Sequence, residues 1–431
     1  MFSAAANHGI LAHMHDVGFL SLPPADGVFL VGGGVRDLLL GRRPADIDLV
    51  VTGDARAYAR RLAAVRGGRM VDIGTPRFRL YRIAAAGQLI DVSPVAGADI
   101  REDLHRRDFT INSLALNIAT GELIDIASGR EDLAAGVIRM VSAEVFRADP
   151  VRLIRAFRLS AQFDFSIEPQ TLAAIAGDAS RIAAAAGERI REELFKLLAA
   201  EGCGSALGAM YASGVLFAVL PEPAAPPPGG IDHRLAILAT LVALRRQLTP
   251  RFDSLEHALS AKDRIFLKLA ALLHPLSDPL LPAQRLKLSA RDATRLATLL
   301  RLRRRTRALF EAPQASPREA VQLFHLASEL TPALLELAGA DLMVDPGAAA
   351  LSAEASNLTA GWLQRYFREY LPILRTPRPI GGGELMREFD LKPSPLFREI
   401  LDALEEERLA RGGLTREEAL RWVGDFLQAR A

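Results

Sequence analysis

Leu30-Val31-Gly32-Gly33-Gly34-Val35-Arg36-Asp37, followed by Gly41 and then by Asp46-Ile47-Asp48, is the stretch on which the reading of this chain turns. A short apolar strand, Val28 to Val31, runs into a glycine turn; a short helix from Val35 to Leu40, closed by Gly41, leads to a second strand from Ile47 to Val51. Such a turn lets backbone amides approach a phosphate, and the dipole of the helix N-terminus favours the anion. No Gly-Lys-Ser/Thr follows, so this is not a P-loop, and Asp37 stands where a dinucleotide fingerprint would place its third glycine. Asp54 does sit at the spacing of a ribose-binding acid, which keeps a Rossmann-type dehydrogenase as a distant alternative. Asp46 and Asp48 break the tie. Residues i and i+2 of a strand share a face, so the two carboxylates can converge on hard divalent ions such as Mg²⁺. Two ions so held activate an attacking hydroxyl and stabilise the leaving oxygen of an in-line phosphoryl transfer. The bland alternative makes Asp46 a turn residue after Pro44 and Asp48 an exposed strand position.

Outward from this stretch, Ala55 to Val65 has the pattern of an amphipathic helix. Arg79 to Ile83 and Gln88 to Val92 flank a tight Ala/Gly turn, predicting a hairpin that carries Asp91, the candidate third carboxylate. Gly67 to Arg79, with Gly68, Gly74 and Pro76, reads as a loop. From Asp149 onwards strand signals nearly vanish and the chain becomes Ala/Leu/Arg-rich helix at period 3.6. Prolines at 221 to 230 and the Thr376 to Gly383 segment mark breaks. The expected organisation is an α+β protein with a small mixed-sheet head at 1–140, a helical neck at 141–220, a helical body at 231–375 and a helical tail at 376–431.

The chain has 431 residues, a length that argues for about three structural units, and its 50% hydrophobic content suffices for a sizeable core. Fifty-three basic and 51 acidic side chains leave a formal charge of +2, so a nucleic-acid partner has to be held by a local basic face. Forty-eight of the basic residues are Arg, whose planar fork suits phosphates and base edges. A single cysteine, Cys203, excludes an internal disulfide and fits a reducing cytoplasm. No window approaches the ~18 apolar residues of a membrane span, and no basic leader precedes an apolar stretch.

The glycine turn, Val35-Arg36-Asp37, the run ending at Gly41 and Asp46-x-Asp48 together resemble the first motif of the class II tRNA nucleotidyltransferase and bacterial poly(A) polymerase family, within the DNA polymerase β-like nucleotidyltransferases. Three further segments match in order. Arg106-Arg107-Asp108-Phe109-Thr110-Ile111-Asn112-Ser113 resembles the family's ribose-selecting motif, Asp149-Pro150-Val151-Arg152 through Arg155 and Arg158 its base-reading motif, and Glu188 to Leu194 its later neck helix. The resemblance implies a template-independent enzyme that adds CMP and/or AMP from CTP and ATP to the 3′ end of tRNA. It implies Mg²⁺ at Asp46 and Asp48 with Asp91, a triphosphate at Gly33, Gly34, Arg36 and Arg107, and ribose at Asp108 near Asn112. A carboxylate at Asp149 and a guanidinium at Arg152 would read cytosine or adenine, each of which offers an exocyclic amine beside a ring acceptor. Arg155 and Arg158 continue the Arg152 stripe. Ala148 departs from the acid that relatives often carry there.

Simpler readings stand beside these. Asp108 caps a helix beginning at Phe109, and Asp149-Pro150 makes an ordinary helix start, with Arg152, Arg155 and Arg158 as a solvated stripe. Ile190, Leu194, Leu197 and Leu198 form a packing stripe, which makes Glu188 to Leu198 mainly structural, with Arg189 and Arg191 as phosphate contacts at most. In the body, His274-Pro275, near Asp278, stands where some relatives carry a His-Asp metal pair, so a degenerate HD-like scaffold is expected; His233 opens a helix and His257 is a surface residue. Arg301, Arg303, Arg304, Arg305 and Arg307 form the densest basic run, either a solvated face or a phosphate-contacting strip for tRNA. The rival activities are poly(A) polymerisation and catalytically idle RNA binding; oligomeric state is not legible.

Overall fold

β1 (Val28–Val31) is an interior strand of its sheet, buried along its whole length, as a four-residue apolar run between two covered faces must be. In the computed structural model the described residues are 23, 25–44, 46–74, 79–85, 87–220, 230–252, 258–273, 280–311 and 317–430. They fall into two compact units, Met1–Glu193 with Ala209–Val219, and Leu194–Gly208 with Leu220–Ala431.

In the first unit the further strands are β2 (Ile47–Val51), β3 (Arg69–Asp72), β4 (Tyr81–Ala85), β5 (Gln88–Pro94), β6 (Leu114–Asn117) and β7 (Leu123–Asp125). They form a seven-stranded sheet in the order β3-β4-β5-β2-β1-β6-β7. β1 is antiparallel to both β2 and β6, and β2 is parallel to β5. A dinucleotide fold needs parallel neighbours around its first strand, so the dehydrogenase alternative fails on topology. Asp54 is used otherwise: it caps the helix Ala55–Arg66 by accepting from Ala57 N at 3.0 Å. That helix buries Tyr58, Ala59 and Leu62 against Ile47, Leu49, Ile83, Ile90 and Val92 on one face of the sheet. Each fully buried aliphatic there contributes about 1.5–3 kcal/mol. The opposite face packs Phe29, Val31, Val50 and Ala115 on Ile100 and Leu104 of the helix Ile100–His105.

Three local expectations change. The first helix spans Gly33–Leu39, starting two residues earlier than Val35, because Gly32 alone takes the left-handed turn, with φ 67°. Within the expected loop Gly67 to Arg79, Arg69–Asp72 pair with β4 as an edge strand; residues 75–78 lie outside the described residues. Charged Arg69 and Asp72 had masked the strand, yet an edge tolerates them. Beyond Asp149 a two-residue strand, β9 (Ser166–Ile167), pairs in parallel with β8 (Val137–Ile138).

The second unit is helical. Its helix Thr331–Val344 is apolar around its circumference and buried, carrying Glu336 and Asp341 at 1% and 4% exposure. Arginines from neighbouring helices pair with both: Arg245 of Gly230–Leu248 donates to Glu336 at 2.8 and 3.1 Å, though burial still pushes the Glu336 carboxyl up to about 7, and Arg303 of Ala290–Glu311 donates to Asp341. His233 Nε2 lies 4.0 Å from Asp341. The helices Gly382–Phe389, Pro395–Ala410 and Arg416–Gln428 close around their own core of Ile380, Leu385, Ile400, Leu404, Ala419 and Val423. His257, His274, Asp278 and the proline run at 221–229 lie outside the described residues.

Candidate active site

Strand register decides what the carboxylates share. β2 sets Asp48 directly beside Asp91 of β5, and β5 sets Asp91 opposite Arg82 of β4, so the three project from one face. Asp46 is exposed just before β2, and Asp48 is half-buried. Burial pushes the Asp48 carboxyl up; Arg107 opposes this, while Asp91 and Asp46 add to it. Three carboxylates repelling one another at one strand end suit a hard cation, which would relieve that repulsion. Asp91 accepts from Arg82 Nε at 2.8 Å and Nη2 at 2.7 Å, so its oxygens are turned towards β4. Among the described residues no three His, Cys, Asp or Glu groups stand as a finished ligand set.

Gly32 is the glycine the turn requires. Besides its positive φ, a Cβ there would stand 2.9 Å from Arg107 Nη1 and 4.0 Å from Asp48 Oδ2, so the bare backbone is what lets this guanidinium and this carboxylate close in. Arg107, just past the end of the helix Ile100–His105, is aimed by Asp103 of that helix through bonds of 3.1 and 2.9 Å. Gly34 has a packing cause: its Cβ position is 3.0 Å from Leu30 Cδ1, where helix meets strand. Gly33 opens the helix beneath the Arg36 guanidinium, 3.3 Å from its Cβ position.

Arg36 corrects the sequence expectation that it faces a triphosphate. It is 6% exposed, donates to Asp37 Oδ1 at 2.9 and 2.7 Å and to Asn112 Oδ1 at 2.7 Å, and lies 4.5 Å from the Phe163 ring centroid. Its fork is spent on the frame. From there a continuous polar chain runs through the unit. Asn112 donates to Asp108 Oδ1 at 2.9 Å; Arg155 donates to Asp108 Oδ2 at 3.0 Å and to Glu193 at 3.0 Å; Arg158 Nε lies 2.7 Å from Glu193 Oε2. Burial pushes the Asp108 carboxyl up, but Arg155, Asn112 and Arg152 outweigh it and hold it below its ordinary range. Arg155 and Arg158 are therefore supports for Asp108 and for each other, and the solvated-stripe reading is wrong for both. Asp108 also accepts from Phe109 N at 2.8 Å, but the capping reading fails: no helix begins at Phe109, and the three-residue 3-10 turn Thr110–Asn112 carries no side-chain cap.

On the helix Arg152–Phe163 the expected pair is present. Arg152 Nε lies 3.9 Å from Asp149 Oδ2; Arg152 Nη1 makes one long bond, 3.5 Å, to Val145 O, and its buried Nε has no hydrogen-bond partner among the described residues. Arg189 does not stand free for a phosphate. It grips Asp149 in a bidentate pair at 3.0 and 2.7 Å, and with Arg152 this outweighs burial and holds Asp149 below its usual range. An ionised carboxylate offers about four lone-pair sites. Asp149 spends three, on Arg189 twice and on Val151 N at 3.3 Å, and Asp108 likewise spends three, so each retains one for a ligand donor. Arg82, Asp103, Arg189 and Glu193 are the site residues that sequence reasoning missed or undervalued. The i,i+4 spacing of Asp103 and Arg107, and the position of Arg82 opposite Asp91 in the hairpin, were readable signals; Glu193 lies within the neck-helix segment already singled out, but its pairing with Arg155, 38 residues away, was not readable.

The basic run of the body divides in two. Arg303 is 2% exposed and spent on Asp341, and Arg307 is held by Glu311, Asp345 and Asp341, which removes both from the expected strip. Arg301, Arg304 and Arg305 are exposed, and their 3,4 spacing puts them on one side of the helix Ala290–Glu311. Among the described residues no helix is long and apolar enough to cross a membrane.

The chain is similar to known proteins over most of its length. A family model described as the poly A polymerase head domain matches residues 28–139, and one described as the probable RNA and SrmB-binding site of polymerase A matches residues 164–225. The chain is 34% identical over 411 residues to a CC-adding tRNA nucleotidyltransferase of Geobacter sulfurreducens, covering 92% of this chain and 91% of that protein. It is 33% identical over 439 residues to an A-adding tRNA nucleotidyltransferase of Deinococcus radiodurans, covering 93% and 96%. The Thermotoga maritima CCA-adding enzyme complexed with tRNA shares the fold, with a TM-score of 0.64 at 24% identity over 98% of this chain and 95% of that one.

Proposed function

We propose, from the premise that this chain belongs to the tRNA nucleotidyltransferase family, that it transfers CMP, AMP or both from CTP and ATP to the 3′ end of tRNA. The acceptor 3′-hydroxyl attacks the α-phosphorus, the new P–O bond forms, and the bond to the β-phosphate breaks to release pyrophosphate. The observation that carries this reading is the Asp149–Arg152 pair: one unspent acceptor site beside a half-buried guanidinium whose buried Nε is unspent. Cytosine and adenine place an amine and a ring acceptor against such a pair, while uracil and guanine bring a carbonyl to the carboxylate.

Arg189 holds Asp149 ionised and in place. The remaining lone pair of Asp108 accepts from a ribose 2′-hydroxyl, and Arg36, Asn112, Arg155 and Glu193 keep it aimed there. Arg107, beside the Gly32 turn, takes phosphate charge. Members of this family use a divalent metal; Asp46, Asp48 and a released Asp91 would hold it as Mg²⁺, which when bound polarises the phosphoryl oxygens and lowers the pKa of the hydroxyl. The reading places the protein with its substrates in the cytoplasm.

The test is incorporation of each labelled NTP on tRNA ending at the discriminator base, at C or at CC. Addition of C, C and one A, or of a part of that series, followed by arrest, is the expected result. Unbounded A tails on unrelated RNA would move the assignment to poly(A) polymerase. In the same assay Arg152→Ala lowers kcat/KM for CTP and ATP by about 10- to 100-fold, the worth of a hydrogen bond from a charged donor, and narrows the gap to UTP and GTP. Unchanged rejection of UTP and GTP removes the base-reading role. Replacing Arg301, Arg304 and Arg305 together by Ala weakens tRNA binding and lowers the slope of log K against log salt by about 2, if each contacts a phosphate. An unaltered slope returns these residues to a merely solvated face.

A further inference from the structure

The sheet face that carries Asp48 and Asp91 differs at its two ends. Over β1 and β6 it is sealed by Ile100 and Leu104. Over β5, β4 and β3 the same face shows exposed aliphatics: Leu89 is 44% exposed, Val71 54% and Ile73 45%, with Ala84 exposed between them. Register fixes their places. Leu89 pairs with Ala84 and Ala84 with Arg69; Asp91 pairs with Arg82 and Arg82 with Val71; Ile73 follows two residues after Val71, bonded to Leu80 O at 3.0 Å. Leu89 thus stands about 7 Å along the strand from Asp91, and Val71 about 10 Å across two strand spacings. Val71 and Ile73 on the edge strand β3 and Leu89 on β5 share this face with exposed Arg69 and with Arg82, an open aliphatic surface interrupted by positive charge that suits an anionic partner with apolar faces.

The chemistry says from which side the acceptor arrives. Gly32, Arg107 and Asp108 flank the β1–β6 side of Asp48, where the nucleotide and its departing pyrophosphate belong. In-line displacement requires the attacking hydroxyl to stand opposite the leaving group. Across Asp48 from the glycine turn, in strand order, are β5, β4 and β3.

We propose that Leu89, Ala84, Val71 and Ile73, flanked by Arg82, form the subsite for the last nucleotides of the RNA acceptor, whose bases lie on the aliphatic shelf while Arg82 faces the intervening phosphate. The pair of Arg82 with Asp91 uses Nε and Nη2, not Nη1, and its side chain is 43% exposed, so a phosphate can reach it. Apolar contact with a base face is tolerant of base identity, which suits an acceptor whose terminal residue changes as it is extended.

The inference rests on the nucleotidyl-transfer reading, and wild-type incorporation is its reference. Leu89→Ser and Val71→Ser change exposed side chains and leave the core intact. Together they raise the KM for tRNA about 10-fold, while the KM for CTP stays within about twofold, a split that general damage to the fold would not produce. A tRNA carrying 2-aminopurine at its 3′ terminus is quenched on binding the wild type and much less on binding the double variant. Val65→Ser, exposed on the helix Ala55–Arg66, is the neutral control. An unchanged KM for tRNA and unchanged quenching overturn the subsite. So does a shift from dimer to monomer in sedimentation without a change in KM, which would make the shelf an interface between two copies. No incorporation by the wild type on any acceptor overturns the transferase reading and this inference with it, whereas an active wild type with indifferent variants overturns the subsite alone.

Discussion

Asp48→Asn abolishes nucleotide incorporation, lowering the rate by about 10³-fold or more, while tRNA binding stays within about twofold of the wild type. The substitution keeps the size and shape of the side chain and removes one charge from the centre of three mutually repelling carboxylates. Such a change eases the local electrostatics of the apo protein, so stability is unchanged or slightly raised. Loss of activity at gained stability separates a metal-holding carboxylate from a structural one, since a structural acid lost from a half-buried strand position would lower both. Incorporation measured over a Mg²⁺ titration, with thermal unfolding alongside, decides it. A variant retaining a tenth of the wild-type rate would remove Asp48 from the site. Asp46→Ala is expected to behave likewise. Asp91→Asn also releases Arg82, so part of its effect appears in the KM for tRNA.

Asp341→Ala destabilises the helical unit by about 3–5 kcal/mol, the cost of leaving a buried charge without its partner. Arg303 is 2% exposed, and its Nε and Nη1 already have no hydrogen-bond partners among the described residues, so Asp341 is what makes its burial tolerable. Replacing both, as Arg303→Met with Asp341→Leu, restores most of the loss, because two apolar side chains of similar volume fill the same space without a desolvation penalty. Urea unfolding followed by far-ultraviolet circular dichroism measures the difference. A single-variant loss under about 1 kcal/mol would mean that water reaches Arg303, and would return it to the surface strip from which the structure removes it.

Much of the head was legible in the chain. The strands Val28–Val31 and Ile47–Val51 stand as expected, since a short, largely apolar run bounded by glycine or aspartate has few other ways to be buried. Asp46, Asp48, Asp108, Asp149 and Arg152 were legible for a second reason: each lies beside a turn or helix start whose local chemistry has a signature of its own. Arg36 and Arg303 were misread because a guanidinium in sequence carries no mark of burial. Asp37 stands beside Arg36 in the chain, but the partners that bury the two guanidiniums sit far along it, 76 residues away for Asn112 and 38 for Asp341.

What the sequence by itself determined is local and ordered along the chain: the glycine turn, the paired carboxylates of one strand, the helix beginning after Asp149, and the change from mixed to helical structure. Hydrogen-bonding patterns and hydrophobic periodicity act over a few residues, so these features need no knowledge of the rest of the fold. Only the tertiary structure decided which charges are spent and which remain for a ligand. The lone acceptor left on Asp108 and on Asp149, the unpartnered Nε of Arg152, the clasp of Arg189 and the open aliphatic shelf beside Asp91 depend on groups that meet only when the strands are in register and the helices are packed. Electrostatic pairing is a property of distance in space and of burial, and neither is written in the order of residues.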